Sequence, residues 1–262
     1  MNKALRGGLL LGILAVMSTA WAAAPARTAE SVTACMRANV PKSLAIKEVQ
    51  LDATDASGRV RSLRGRLYAT REDDRLRATM RIDAPSDLAG ATYLLREQGD
   101  SDEMYVYIPA MQRVRRITGA SVDGSLWGTD LSYGDVKQIG NVFGGRQPTL
   151  DADETIGGRP VHVLSALPGS SDSAKFTRVR AWVDQESCVT LRMDFFEGQT
   201  VRKRLSVDPK SLRRDGAYWY ASQLQVSDLS QKTSTRLQML EIHTDAPLAE
   251  RLFSPATFYI VN

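Results

Sequence analysis

The chain has 262 residues, with 34 basic and 30 acidic side chains, and it contains only two histidines and two cysteines. This length permits one large all-β domain or two smaller domains, each with its own apolar core. The weak positive charge is not concentrated in a basic stretch that also has aromatic residues or a helix to contact bases. It therefore does not favour a nucleic-acid partner.

The first residues predict an export signal. Lys3 and Arg6 form a positive region, residues 7–17 are uncharged and apolar, and Ala20-Trp21-Ala22 offers a cleavage site between small residues. The apolar stretch is shorter than the roughly 20 residues that span a bilayer. We therefore expect a signal peptide at residues 1–22, its cleavage and a soluble protein in the periplasm, with an uncleaved anchor as the alternative. Without Lys3 and Arg6, 32 basic residues face 30 acidic ones.

After the signal, the chain predicts one helix and a long series of strands. Residues 28–40 have apolar side chains at helical spacing, a capping Thr28 or Ser31, and Pro41 immediately afterwards. Period-two alternation then predicts antiparallel strands with one apolar and one wet face. There are about eleven of them, at residues 49–54, 60–70, 76–82, 90–97, 103–108, 161–165, 176–183, 189–196, 200–206, 217–226 and 235–243.

Residues 118–147 interrupt this alternation and contain seven of the 19 glycines. They predict a helix-and-loop insertion, with a helix start at Asp130 or Ser132. No repeat or low-complexity linker divides the chain. The predicted fold is therefore mainly β, with residues 23–262 as a single domain. One curved antiparallel sheet of about eleven strands would carry helices on its concave side.

Cys35 and Cys188 predict a disulfide, because an even number of cysteines in an exported chain favours pairing. The bond would join the N-terminal helix to a turn far along the chain. A metal pair and a redox motif are the alternatives, but the chain has no Cys-x-x-Cys and only two histidines.

Catalytic and metal sites have little support in the sequence. His162 and His243 each lie within a strand pattern, without a second histidine two or four residues away. The acidic groups at residues 72–74, 100–103 and 151–154 lack the spacing of a calcium loop and fall where turns are expected. We expect no enzyme activity, no metal and no cofactor. A hydrolase that uses either histidine is the alternative.

Arg113, Arg115 and Arg116 form a basic cluster with two possible roles. They could contact a phosphate headgroup or an acidic partner, or they could protect an edge strand against unwanted pairing. Trp127 and Tyr133, further along, could lie over the mouth of a cavity or simply pack a loop.

Residues Met104–Val136, MYVYIPAMQRVRRITGASVDGSLWGTDLSYGDV, resemble the LolA-like outer-membrane lipoprotein-sorting proteins of the LolA/LolB superfamily. Weaker similarity lies at Cys35–Asn39 and at Arg180–Asp184. The resemblance implies an incomplete β-barrel of about eleven strands, closed by helices around an apolar interior. Members of this family carry lipid-modified proteins or lipids through the periplasm, and some are associated with large membrane exporters.

The resemblance predicts a periplasmic carrier of lipoprotein or lipid acyl chains that moves them towards the outer membrane. An inner-membrane exporter and an outer-membrane acceptor are the implied partners. The alternative is a lipid or lipoprotein sensor that serves a membrane partner. Burial of an acyl chain yields about 0.8 kcal/mol per methylene, or about 12 kcal/mol for roughly 15 carbons. The residues predicted to line the cavity, or else to form ordinary core, are Leu76, Ala78, Met80, Ile82, Met104, Val106, Leu191, Met193 and Phe195.

Overall fold

The computed structural model describes residues 27–73, 75–98, 102–138, 143, 147–167 and 176–260. The predicted signal peptide lies outside these residues. The strands are β1 (Ser43–Thr54), β2 (Val60–Glu72), β3 (Arg75–Ala84), β4 (Thr92–Arg96), β5 (Glu103–Ile108), β6 (Arg113–Ile117), β7 (Thr149–Leu150), β8 (Glu154–Ile156), β9 (Arg159–Ala166), β10 (Arg178–Asp184), β11 (Thr190–Glu197), β12 (Thr200–Ser206), β13 (Leu212–Asp215), β14 (Tyr218–Ala221), β15 (Gln223–Asp228) and β16 (Thr233–Thr244).

Most strands belong to one curved, unclosed antiparallel sheet. Its order is β6-β5-β4-β3-β2-β1-β16-β15-β12-β11-β10-β9-β7, with β8 also paired to β9, which makes 14 strands within the described residues. Strands β13 and β14 form a separate hairpin. The prediction of about eleven strands was wrong because the arginines of β6 hide its alternation, and β7 and β8 are too short to show any. Residues 217–226, expected to form one strand, are divided between β14 and β15.

Helices cover little of this sheet, contrary to the prediction. The described helices are α1 (Ala29–Ala38) and α2 (Asp135–Gln138), together with single 3-10 turns. Helix α1 begins as predicted, because Thr28 and Ser31 each accept a hydrogen bond from the other's backbone N–H at 3.1 Å. Most of the insertion between β6 and β7 is irregular, since its glycines and polar turns do not sustain a longer helix. Among the described residues, none of the helices is long and apolar enough to cross a membrane.

The register defines two faces of the sheet. Strands β1 to β5 place Ile46, Leu67, Met80, Tyr93 and Val106 side by side in one row. We call the face that carries this row the covered face. Residues 118–138, which we call the cover segment, pack against it through Leu126, Trp127, Leu131, Tyr133 and Val136.

The covered face continues into the second half of the sheet. There Leu164, Ala181, Met193 and Leu205 form a row from β9 to β12. Val32 of α1 and Phe143 pack against this part. The opposite face of the first half is covered by the chain that follows β16, whose Phe253 and Phe258 pack with Leu94. Both faces of the sheet are therefore partly buried.

Candidate functional site

The covered face of β1 to β5 is an apolar surface that is closed in this structure. Met80, Ile82, Tyr93 and Leu95 lie in the first core cluster, and each is at most 2% exposed. The cover segment provides the buried Leu126 and Val136 from the other side. Apolar side chains from both sides thus exclude water from this face of the sheet.

The cover segment makes most of its backbone hydrogen bonds within itself. Leu126 N–H donates to the carbonyl oxygen of Leu131 at 2.7 Å, and Gly134 N–H donates to that of Val122 at 3.0 Å. Ser132 and Asp135 cap the start of α2 reciprocally. No described residue of the segment pairs with a strand of the sheet, apart from its own bridge between Ser125 and Ser132. Its displacement would therefore leave the strand ladders intact.

A small set of polar contacts joins the cover segment to the sheet. The Tyr93 hydroxyl donates to the carbonyl oxygen of Tyr133 at 2.7 Å. The Thr235 hydroxyl donates to Asp130 Oδ2 at 2.8 Å, while its Oγ1 accepts from the Asp130 N–H at 2.9 Å. Lys203 on β12 forms an ion pair with Asp135, and both side chains are largely buried.

Burial affects the tyrosines of this contact. It raises the pKa of Tyr93 well above its usual value, and the charges of Asp102 and Asp135 act in the same direction. It also raises the pKa of Tyr133, against the opposing influence of the Arg115 guanidinium. Both phenols are therefore neutral at physiological pH, so Tyr93 retains the proton that it donates to the cover segment.

Helix α1 is attached to the second half of the sheet by the predicted disulfide. Cys35 and Cys188 are bonded, with their Cα atoms 5.9 Å apart. Cys188 has φ 56° and follows β10 in the turn before β11. At the other end of the helix, Asn39 donates to the carbonyl oxygen of Trp219 at 2.9 Å and accepts from its N–H at 2.7 Å. The helix is thus fixed to both the sheet and the β13–β14 hairpin.

The predicted cavity residues fall into three groups. Leu76, Ala78, Met80, Ile82 and Met104 belong to the first cluster, and Val106 shares a row with Tyr93. Met193 and Phe195 lie in the second cluster, under α1. Leu191 instead packs with Val163 and Trp182 in a third cluster. A bulge in β11 separates Leu191 from the alternation of its neighbours.

The basic cluster lies on β6, at one edge of the sheet. Arg115 pairs with Val106 and so lies in a row of the covered face, whereas Arg116 pairs with Tyr105 on the opposite face. Arg113, Arg115 and Arg116 are all exposed. Trp127 and Tyr133 are both partly buried against the first cluster. The structure thus brings Arg115 near Tyr133, but it does not gather all five residues at one point.

Sequence patterns missed the polar anchors of the cover segment. The sequence pattern indicates Asp130 only as a possible helix start, and it does not predict a contact between Asp135 and Lys203. One signal was present, because alternation places Lys203 on the same face as Leu205, among apolar residues. A charged side chain at such a position needs a partner when it is buried.

Two clefts lie away from the predicted cavity. The larger has a volume of about 680 Å³ and lies between Ala45, Tyr68, His243 and the chain from Asp245 to Leu252. The smaller, of about 340 Å³, is lined by Gln50, Ser62, Arg64, Ala84 and Pro85. None of the nine predicted cavity residues lines either cleft. The covered face is therefore filled by the protein's own side chains.

The chain resembles proteins of one structural superfamily. A protein-family model with the description "Uncharacterized protein" matches residues 74–258. The chain belongs to this family. A DUF1329 family protein from Desulfovibrio piger has a similar structure, with a TM-score of 0.80 and 21% identity over 87% of this chain and 96% of that one. No curated protein matches the sequence significantly.

Two further structures establish the fold as LolA-like. A domain from Vibrio parahaemolyticus, described as outer membrane lipoprotein-sorting, has a TM-score of 0.79 and 20% identity, over 88% of this chain and 99% of that one. A LolA superfamily protein from Nitrosomonas europaea has a TM-score of 0.69 and 17% identity, with coverage of 88% and 99%. At these identities the likeness concerns the fold.

The histidines of this LolA-like chain have ordinary polar partners. The His162 ring lies 2.8 Å from Asp153 through Nδ1 and 2.9 Å from Arg27 through Nε2. His243 lies 3.0 Å from Glu241 on the surface. Within the part of the chain that the structure describes, neither ring contacts a serine hydroxyl or a cysteine, and no group of three His, Cys, Asp or Glu residues forms a metal site.

Proposed function

We propose that the protein is a non-catalytic periplasmic carrier that binds acyl chains of lipoproteins or free lipids and moves them towards the outer membrane. The chains would bind between the covered face and the cover segment. The single observation that carries this proposal is that an irregular segment, outside the strand ladders, covers a wide apolar face. The LolA-like fold supports the same reading.

Opening removes the favourable free energy that the buried apolar side chains of the cover segment contribute. The bound acyl chain must therefore contribute a similar amount. Leu126 and Val136 are buried against the sheet, and such side chains contribute about 1.5–3 kcal/mol each by burial. An acyl chain of roughly 15 carbons contributes about 12 kcal/mol. The two amounts are of similar size once Trp127, Leu131 and Tyr133 are included. A hydrocarbon chain can therefore compete with the cover, and the exchange is reversible, as delivery requires.

The predicted cavity residues then have graded roles. Met80, Ile82, Met104 and Val106 would line the opened face directly beneath the cover segment. Met193 and Phe195 lie under α1, which the disulfide holds in place, so they would serve a longer chain. Leu191 lies in another cluster and would contribute to stability. Arg115 is on the covered-face side of the sheet edge, where it would meet the phosphate or carboxyl end of the cargo.

The test is to lock the cover segment and measure lipid uptake. Asp130 and Thr235 touch, so Asp130→Cys with Thr235→Cys provides a candidate crosslink. We expect the oxidised double variant to take up little fluorescent lipid, and uptake to return on reduction. Each single variant, and the reduced wild type, control for the added thiols and for loss of the native disulfide.

Mass spectrometry of gently purified wild-type protein should find extractable lipid, and labelled lipid should pass between membrane fractions. Uptake by the oxidised double variant at the wild-type rate would refute binding under the cover segment. Binding without transfer would instead indicate the sensor function. Donor and acceptor, an inner-membrane exporter and an outer-membrane protein, are then sought by crosslinking at Arg113 and Arg116.

A further inference from the structure

Five described connections between strands, together with the end of β9, lie at one end of the sheet. Because neighbouring strands are antiparallel, alternate turns fall at the same end. These are the connections β1–β2, β3–β4, β5–β6, β11–β12 and β15–β16, and Leu167 follows β9 at the same end. We call this end the turn end. It includes Met111 in the β5–β6 connection and Leu229 in the β15–β16 connection.

Exposed apolar side chains are concentrated there. Of the six large hydrophobic residues that are exposed in the described part of the chain, four lie at the turn end. Val60 is 61% exposed, Met111 55%, Leu167 70% and Leu229 43%. They stand on four different connections, or directly beside them, and so form separate apolar points on one end of the molecule. Leu240, which is 56% exposed, lies within β16 and is not part of this end.

Most charges in the turns of the turn end are paired. Within the described residues, the acids Asp55, Asp87, Glu197 and Asp228 each have an arginine partner. The pairs are Asp55 with Arg59, Asp87 with Arg61, and both Glu197 and Asp228 with Arg202. Arg113 and Lys232 are also exposed at this end, and neither has an ion pair within the described part of the chain.

We propose that the turn end docks on the surface of a lipid bilayer that contains anionic lipids. Val60, Met111, Leu167 and Leu229 would enter the headgroup region, while Arg113 and Lys232 would contact lipid phosphates. The docking itself is independent of the cargo site, and its use for loading or delivery rests on the proposed function.

A bilayer fits these features better than a protein partner does. A stable protein interface buries a contiguous, shape-complementary patch of at least about 1,000 Å². Here the apolar side chains are single, stand on separate turns and have charged groups between them. A fluid interface adapts to such points, and each basic residue near an anionic surface adds to the attraction. Because the acids at this end are paired with arginines, they repel an anionic membrane less than free carboxylates would.

Flotation of the full chain with vesicles tests the proposal. We expect binding to phosphatidylcholine vesicles that contain phosphatidylglycerol, and weaker binding without it. Met111→Ser with Leu229→Ser should lower the partition coefficient about tenfold, because two apolar contacts with the interface are lost. Arg113→Gln with Lys232→Gln should lower it about tenfold on anionic vesicles and much less on neutral ones. Leu240→Ser is the matched control and should bind like the wild type.

Failure of the wild-type protein to float with either kind of vesicle would overturn the proposal. Binding of the turn end to a protein partner and not to vesicles would overturn it as well. An equal loss in Leu240→Ser would show that the effect is not specific to the turn end. The lipid content of the same variants separates the two claims. Variants that keep their extracted lipid but lose vesicle binding support the docking surface, whereas vesicle binding by protein that never takes up lipid contradicts the carrier function alone.

Discussion

Tyr93 on β4 and Tyr133 in the cover segment are in direct contact. The Tyr93 hydroxyl donates a 2.7 Å hydrogen bond to the carbonyl oxygen of Tyr133, and the two rings lie 5.3 Å apart. Tyr93 has no exposed surface. Water cannot replace this bond while the cover is closed, so the contact links the stability of the fold to the position of the cover segment.

Removal of the Tyr93 hydroxyl should loosen the cover segment. In Tyr93→Phe, the carbonyl oxygen of Tyr133 loses its buried donor, at a cost of about 1–3 kcal/mol. We expect a lower free energy of unfolding in urea and faster hydrogen exchange within the cover segment, residues 118–138. Lipid uptake should become faster, because less free energy opposes opening.

Tyr105→Phe provides the control for this change. Tyr105 lies on β5 and packs on the opposite face of the sheet, and its hydroxyl has no hydrogen bond within the described residues. Its removal should leave exchange in the cover segment at the wild-type rate. Equal exchange rates in Tyr93→Phe and wild type would mean that this hydrogen bond does not hold the cover.

The Cys35–Cys188 disulfide should contribute much of the stability of α1. It closes a loop with a sequence separation of 153 residues. Chain entropy alone gives such a loop an upper value of about 5 kcal/mol. Cys35→Ser with Cys188→Ser should therefore lower the free energy of unfolding by up to this amount. Titration of the denatured, unreduced wild type should detect no thiol, since the described chain contains no free cysteine. Two reactive thiols would contradict the bridge.

Alternation was sufficient to locate most strands and failed where the register changes. Leu191, Met193 and Phe195 appear equivalent in the sequence, and period two places them on one face. The structure has a bulge here, because Trp182 pairs with Arg192 while Val183 pairs with Thr190. Leu191 is the extra residue and joins the third cluster. A bulge of this kind depends on the neighbouring strand, so it leaves no mark in the local pattern.

The disulfide was predictable from composition, whereas the cover was not. Two cysteines allow only one intramolecular pair. The cover segment, in contrast, depends on contacts between residues that are about 70–105 positions apart, such as Asp135 with Lys203 and Asp130 with Thr235. Local propensity could indicate the break in alternation at residue 118. It could not show that the irregular segment would replace helices against the sheet.

Low pH should reduce the free energy of unfolding, partly because Asp184 becomes protonated. Burial raises the pKa of Asp184, but hydrogen bonds from Arg159 and Ser187 outweigh this effect and hold the pKa below its usual value. The unfolded carboxyl therefore binds protons at a higher pH than the native one. This contribution to stability is complete above the unfolded pKa of about 3.9 and is lost as the pH falls through the native pKa.

Asp184→Asn should accordingly destabilise the protein most at neutral pH. The loss should be about 1–3 kcal/mol, because Arg159 loses its paired hydrogen bonds of 2.6 and 2.8 Å to a buried carboxylate. The difference from wild type should shrink as the pH falls below 4. Asp87→Asn, in the exposed pair with Arg61, serves as control and should change stability little at any pH. A difference that stays constant down to pH 2 would contradict this role of ionised Asp184.

The ion pair between Lys203 and Asp135 should act as a coupled unit that holds the cover segment. Both side chains are largely buried, so removal of one charge leaves the other without compensation. Lys203→Met and Asp135→Asn should each destabilise the closed form. The double variant should be more stable than the sum of the two losses predicts, with a coupling of about 1–3 kcal/mol in urea unfolding.

The half-exposed pair of Lys47 and Glu241 provides the control. Lys47→Met with Glu241→Gln should show a coupling below about 1 kcal/mol. Strict additivity at Lys203 and Asp135 would mean that their contact does not hold the cover, and lipid uptake should then be unchanged in both variants.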